Sequence, residues 1–237
     1  MTGEAVRPVA VVLGGSGQIG QYLVKEFLDR DCQVASVSRG QSHISFVQSL
    51  GTKERPQVFL ADVGDQRQVQ DCFERISRIF GRMDFVVYGP GIAPDMDLPL
   101  ARYALEAWDA TFRVYVRGLF ICFQEAVKYL APGGHFLVLS SAVTRFPPSN
   151  MPPFHVGHYA AAKAAVNEFC KWARRDLHEN KCLLSRLAPS AVDVPFHRNA
   201  PAYRRPAVML PLDLVVSKLV NAALSGNEID EELTGAE

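Results

Sequence analysis

The sequence has no excess of either charge: lysine plus arginine and aspartate plus glutamate number 25 each in 237 residues. No net field draws such a chain to nucleic acid or anionic lipid, so a small neutral molecule is the expected partner. Cysteine is sparse. Cys32, Cys72, Cys122, Cys170 and Cys182 are scattered, odd in number and free of Cys-x-x-Cys or Cys/His spacing. That argues against a disulfide framework and against a metal site, and it suits buried thiols of a reducing compartment. No stretch is apolar for long enough to cross a bilayer, and the start lacks a charged segment ahead of a long apolar run. A cytoplasmic protein with no membrane partner is expected. Linkers, repeats and low-complexity tracts are missing as well, so one domain over 1–237 is expected, with 48% apolar residues to build its core.

What is present is an alternation. Short apolar runs of strand character, "PVAVVLG", "CQVASVS", "QVFLAD", "DFVVYG", "HFLVLSS" and "CLLSRLA", are separated by segments of helical periodicity such as "QIGQYLVKEFLDR" and "QRQVQDCFERISRIF". The runs are apolar on both faces, which predicts an α/β fold: a Rossmann-like, doubly wound parallel sheet with helices on both faces. Two stretches break the rhythm, "TRFPPSNMPPFHVGH" at 144–158 and "SAVDVPFHRNAPAYRRPAVML" at 190–210. Both follow a strand end, the edge where open parallel sheets place ligands, so they are candidate walls of a substrate pocket.

"VVLGGSGQIGQYL" places Gly14, Gly17 and Gly20 between the first strand and the first helix. Gly14 permits the tight turn, Gly17 admits a pyrophosphate to the backbone, and Gly20 lets helix and strand approach. The turn residues Gly14, Ser16, Gly17, Gln18, Ile19 and Gly20 are therefore candidate nucleotide contacts. About twenty positions on, where an acidic residue would bind the ribose hydroxyls of NAD, stand Ser38 and Arg39. A guanidinium suits a 2'-phosphate, so NADP(H) is the expected cofactor.

In "GHYAAAKAAVNEF", Tyr159 and Lys163 are four residues apart on one helical face. An ammonium at about 5 Å from a phenol, in an effective dielectric of about 20, favours the phenolate by roughly 3 kcal/mol, enough to bring the tyrosine down about two pH units. The pair is expected to act as an acid and base near neutrality.

With these motifs in view, the chain resembles the short-chain dehydrogenase/reductase family over nearly its whole length. "LGGSGQIG" is similar to the family's glycine turn, with Leu13 and Gln18 at its threonine and middle-glycine positions. "ADV" matches the segment whose Asp62 and Val63 flank the adenine. "YGPG" supplies Gly89, Pro90 and Gly91 after the fourth strand, and "LAPSAVDVP" supplies Pro189 and Val194 on the nicotinamide side. The resemblance implies Ser141 as catalytic serine, with Ser140 as the fallback, Tyr159 as proton donor and acceptor, and Lys163 as the residue that binds the nicotinamide ribose and lowers the tyrosine's pKa. It implies an oxidoreductase acting on a ketone, aldehyde or secondary alcohol.

Several family positions are changed. Tyr115 stands where the family has an asparagine whose carbonyl helps hold a water leading from the lysine to solvent. Tyr88-Gly89-Pro90-Gly91 replaces Asn-Asn-Ala-Gly, keeping the turn and losing its side-chain hydrogen bonds. Ser190 replaces a glycine, and Val194 replaces a threonine. These changes leave open a lyase, isomerase or cyclase on the same fold, or a regulatory protein that only binds NADP. The chain stops after "NEIDEELTGAE", where the family adds a further strand; that strand is expected to be missing, which favours a homodimer built through the long fifth and sixth helices over a tetramer. Phe146, Met151, Phe154, Phe196 and Tyr203 suggest a moderately large apolar substrate. Arg198, Arg204 and Arg205 offer an acidic alternative, and His155 and His158 flank the tyrosine as solvent-facing or pocket-lining loop residues.

Overall fold

The structure is a computed structural model and describes residues 6–40, 52, 54–92, 98–146, 155–201 and 206–235. The apolar runs form strands β1 (Val9–Leu13), β2 (Gln33–Ser38), β3 (Gln57–Leu60), β4 (Met83–Tyr88), β5 (Leu130–Leu139), β6 (Leu183–Pro189) and β7 (Asp230–Leu233). The periodic segments form α1 (Gly20–Asp29), α2 (Gln66–Phe80), α3 (Leu105–Phe112), α4 (Gly118–Tyr129), α5 (Gly157–Glu179), α6 (Pro195–Arg198) and α7 (Leu212–Ser225). In α2 the buried residues Val69, Cys72, Phe73 and Ile76 mark one face at the spacing a helix requires, and Asp65 caps its first turn by accepting from the Gln68 amide at 3.1 Å.

All seven strands run parallel in the order β3-β2-β1-β4-β5-β6-β7. Every residue of β1 is buried, as a strand covered on both faces must be. Val11 and Leu13 join a core with α2, α4 and α5 on one face; Ala10 and Val12 join another with α1 and α7 on the other. The order reverses between β1 and β4. Leu13 pairs with both Val37 and Tyr88, so the turns after β1, β2 and β4 meet at one sheet edge, where a doubly wound sheet opens a crevice.

The expectation that the last strand is missing is overturned. Asp230–Leu233 pairs with β6 from Arg186↔Asp230 to Pro189↔Leu233. "DEEL" has too little apolar character to read as a strand, but an edge strand needs only one row of backbone bonds, and these carboxylates meet cations. Asp230 receives Arg174 at 2.9 Å and Arg186 at 2.6 Å, and Glu231 receives Lys218 at 2.6 Å. Among the described residues no helix is long and apolar enough to cross a membrane.

Candidate active site

The glycine turn is shaped by close approaches. The Gly14 and Gly15 amides both donate to the Val37 carbonyl, at 2.9 and 3.1 Å, which curls the chain off β1 across the end of β2. Gly14 has φ +81°, and a Cβ there would stand 2.8 Å from the Pro90 nitrogen. A Cβ on Gly20 would collide with the Gly14 carbonyl, so helix and turn meet only without one. The cleft above is lined by Gly14, Ser16 and Gly17, by Ser38 and Arg39, by Val63, and by the Gly89-Pro90-Gly91 turn. The sequence reading missed its apolar lining residues Val37, Ala61, Ile92 and Val114; Val37 and Ala61 stand at or next to strand ends, whereas Val114 sits in a helical segment that carried no such signal.

Ser38 is buried and its hydroxyl has no hydrogen-bond partner among the described residues. Beside it Arg39 is exposed at the cleft mouth and makes no ion pair among the described residues. A buried hydroxyl and a free guanidinium next to a glycine cradle fit an anionic nucleotide group, since a buried polar atom left unmatched is costly.

Other expected contacts lie around this cleft. The Asp62 carboxylate accepts from the Gly64 amide at 2.9 Å and pairs with Arg113 at 2.9 Å, a partner 51 positions away. Gln18 accepts from the Phe196 amide at 2.9 Å, joining the glycine turn to α6 across the chain. Ile19 is half-buried before Gly20 opens α1, Pro189 ends β6, and Val194 is buried, with its carbonyl accepting from the His197 and Arg198 amides at the start of α6. Gln18, Ile19, Gly20, Asp62, Pro189 and Val194 are not among the residues that line the cleft itself.

Where β5 ends, two adjacent serines part. The Ser140 hydroxyl donates to Asn167 Oδ1 at 2.5 Å, while Ser141 accepts from the Val143 amide at 3.2 Å and lies near enough to the Tyr159 phenol to favour its ionised form. Tyr159 and Lys163 share one face of α5, and Lys163 Nζ donates to the Leu139 carbonyl at 2.9 Å. The helix before it supplies a cover. Between α3 and α4 the chain makes a π-helical turn, Arg113–Arg117, closed by the Gly118 amide on the Arg113 carbonyl. The turn carries Tyr115, whose ring lies 4.5 Å from Lys163 Nζ and meets the Tyr159 ring edge-on at 5.3 Å. The Tyr115 phenol donates to the Ile92 carbonyl at 2.6 Å and accepts from the Ile92 amide at 3.0 Å. Tyr88, standing where the family has an asparagine, makes a bond of its own: its phenol donates to the Val114 carbonyl inside the π-turn.

The expected electrostatics of the pair are reversed in the free protein. Burial raises the Tyr159 phenol above its ordinary value, with the Ser141 hydrogen bond opposing, and burial brings Lys163 down to about 7. Lys163 Nζ is 5.6 Å from the Tyr159 ring centroid and too desolvated to hold its proton firmly, so it is not the fixed cation that would draw the phenol down.

The candidate substrate walls are partly visible. Phe146 and Phe196 are exposed, and His155 is exposed. His158 is corrected from a loop residue to a buried member of α5, stacked on Tyr103 at 4.1 Å. Arg198 pairs with Asp193 at 2.5 Å on the surface. Met151, Phe154, Tyr203, Arg204 and Arg205 lie outside the described residues. Among the described residues no group of three His, Cys, Asp or Glu side chains is placed to hold a metal.

A family model described as short chain dehydrogenase matches residues 8–204. A short-chain type dehydrogenase/reductase of Picea abies is 28% identical over 195 residues, covering 78% of this chain and 70% of that protein. Hydroxynaphthalene reductase arp2 of Aspergillus fumigatus is 27% identical over 191 residues, covering 78% and 66%. Among solved structures, a short chain dehydrogenase from Burkholderia cenocepacia in complex with NADP has a TM-score of 0.82 at 24% identity, covering 98% of this chain and 97% of that one.

Proposed function

Since the chain belongs to the short-chain dehydrogenase family of oxidoreductases, which use nicotinamide cofactors, we propose that it is an NADP(H)-dependent carbonyl reductase with a Ser141-Tyr159-Lys163 site. The observation that carries this reading is the parting of the two serines: Ser140 turns to Asn167, while Ser141 is left to act on the phenol of Tyr159, which shares a helix face with Lys163. The turn from Gly14 to Gly20 and the Gly89-Pro90-Gly91 turn would hold the pyrophosphate, Val63 and Asp62 the adenine end, and Ser38 and Arg39 the 2'-phosphate. Pro189 and Val194 would border the nicotinamide end, near Tyr159 and Lys163. When bound, the cofactor supplies the hydride.

The protein's part is the proton and the orientation. Burial keeps Tyr159 protonated at neutral pH, ready to donate to the oxygen of a carbonyl held by Ser141, which favours the reductive direction. Lys163, at about 7, carries its proton part of the time near neutrality and gains a reason to keep it when ribose hydroxyls approach. Phe146 beyond β5 and Phe196 on α6, both exposed, favour a bulky, apolar ketone, in keeping with a relative named for hydroxynaphthalene reduction. The whole chain, 1–237, would act as one cytoplasmic domain. The homodimer proposed here rests on exposed Phe120 of α4 and Trp172 of α5, since the argument from a missing strand has lost its premise.

NADPH fluorescence titration, followed by loss of reduced-nicotinamide absorbance over a panel of aromatic and alicyclic ketones, tests the reading. Binding with turnover, abolished in Tyr159→Phe at little loss of NADPH affinity, is expected. Binding without turnover across the panel overturns it. A second reading, a non-redox lyase, isomerase or cyclase or a regulatory NADP-binding protein, is favoured by one observation, the Tyr115 ring lying over Lys163.

A further inference from the structure

Tyr159, Lys163 and Asn167 follow one another at intervals of four along α5 and so form a single stripe. The third member is hydrogen-bonded at both its amide oxygen and its amide nitrogen. Its Oδ1 accepts from Ser140 Oγ at 2.5 Å and from Arg186 Nη1 at 3.2 Å, and its Nδ2 donates to Thr144 Oγ1 at 3.0 Å. The orientation follows from chemistry. A guanidinium only donates, so the atom facing Arg186 must be the oxygen, and Ser140 must then donate to it. Arg186 is in turn held by Asp230 of β7 at 2.6 Å.

We propose that Asn167 is a positioning residue for Ser141: one amide ties down both ends of the 140–144 segment and leaves Ser141 alone facing Tyr159. The inference rests on the reductase reading for Ser141's role. The segment has few other side-chain ties. Ser141 Oγ accepts from the Val143 amide at 3.2 Å, and Arg145 reaches Glu232 at 3.7 Å. Without the Asn167 amide, Ser140 loses its acceptor and becomes free to compete for the tyrosine, while Thr144 loses its donor. The aspartate of β7, through Arg186, fixes which way the amide points, so three consecutive hydrogen bonds connect the edge strand to Ser140, the neighbour of the catalytic serine.

The test compares the unmodified protein with Asn167→Ala, Asn167→Asp, Thr144→Val, Ser141→Ala and the double variant Asn167→Ala/Ser141→Ala. Hydrogen–deuterium exchange over the peptide containing 140–146 is expected to quicken about tenfold or more in Asn167→Ala and Thr144→Val, with NADPH affinity changed by less than about twofold. With a ketone that the protein reduces, Asn167→Ala is expected to lower kcat about tenfold with KM little changed, and to cause no further loss once Ser141 is already alanine. Asn167→Asp, which keeps the acceptor for Ser140 and Arg186, is expected to recover most of the rate. Unchanged exchange in this peptide, or losses of rate that multiply in the double variant, overturns the proposal. If no ketone is reduced by the unmodified protein, the reductase reading fails while the exchange measurement still decides whether Asn167 holds the segment. If Asn167→Ala does not fold, Thr144→Val carries the exchange comparison, with Asn167→Asp as the conservative control.

Discussion

Tyr115 lays its aromatic face over Lys163, with Nζ 4.5 Å from the ring centroid, and Ile92 grips the same phenol through both its amide and its carbonyl. The lysine is thus buried under a π-face, which favours its charged form by about 0.5–2 kcal/mol against a desolvation that disfavours it.

Removing that face while keeping the volume apolar should therefore make Lys163 lose its proton earlier. In Tyr115→Leu, the fall in NADPH affinity with rising pH is expected roughly one pH unit lower than in the unmodified protein. Tyr115→Phe keeps the ring and is expected to leave the profile in place. Superimposable affinity profiles for the leucine variant and the parent would show that the ring has no hold on the lysine.

Lys163 also has a stability signature. Its folded-state pKa of about 7 lies below the ordinary 10.5, so between these values the unfolded chain carries a proton that the folded chain does not. Stability must rise with pH across this window, and the burial penalty is greatest below about 7. The difference in urea-unfolding free energy between the parent and Lys163→Met is expected to shift in the parent's favour as pH goes from 7 to 9.5. A flat difference would mean that the lysine keeps its proton when folded.

At the mouth of the cleft, Arg39 is exposed with no ion pair among the described residues. A hydrogen bond to a charged group contributes about 1.5–3 kcal/mol, so Arg39→Ala is expected to weaken NADPH roughly ten- to a hundredfold and NADH hardly at all. Fluorescence titrations with both cofactors check this; equal affinity of the parent for the two would remove the case for NADP.

A second buried titratable group lies far from the site. His135 in β5 contacts Ser185 through Nε2 at 2.8 Å, its Nδ1 has no partner among the described residues, and burial brings it down to about 4, with the Glu228 carboxylate opposing. Below about 6.5 the unfolded chain takes up a proton that the folded one refuses until about 4, so stability is lost as pH falls through that range. His135→Gln, measured by urea midpoints from pH 7 to 4, is expected to show a shallower decline than the parent.

The sheet, the glycine turn and the Tyr159-Lys163 stripe were legible because each is written locally: both-face apolar runs, glycines at a strand-helix junction, and a spacing of four. Other features depend on partners distant in the chain. Asp62 meets Arg113, Gln18 meets Phe196, and Asn167 meets both Ser140 and Arg186; of these, only the i, i+4, i+8 spacing of Asn167 behind Lys163 was there to be seen. Strand β7 was hidden because an edge strand with paired carboxylates has no apolar pattern to show. The sign of the Tyr159 shift was misjudged because a charge–charge estimate ignores the burial of both groups, and burial outweighs it here.

The π-turn at Arg113–Arg117 adds a last consequence. A π-helical turn takes up one residue more than an α-helical turn, about 100° of helical advance, so the surplus between Leu105–Phe112 and Gly118–Tyr129 is taken up locally. Deleting a single residue there would restore even pitch and change which side chain the turn sets over the ammonium. Length variation at this joint, as well as exchange of Tyr115 itself, is a lever by which the fold can bare or cap its lysine.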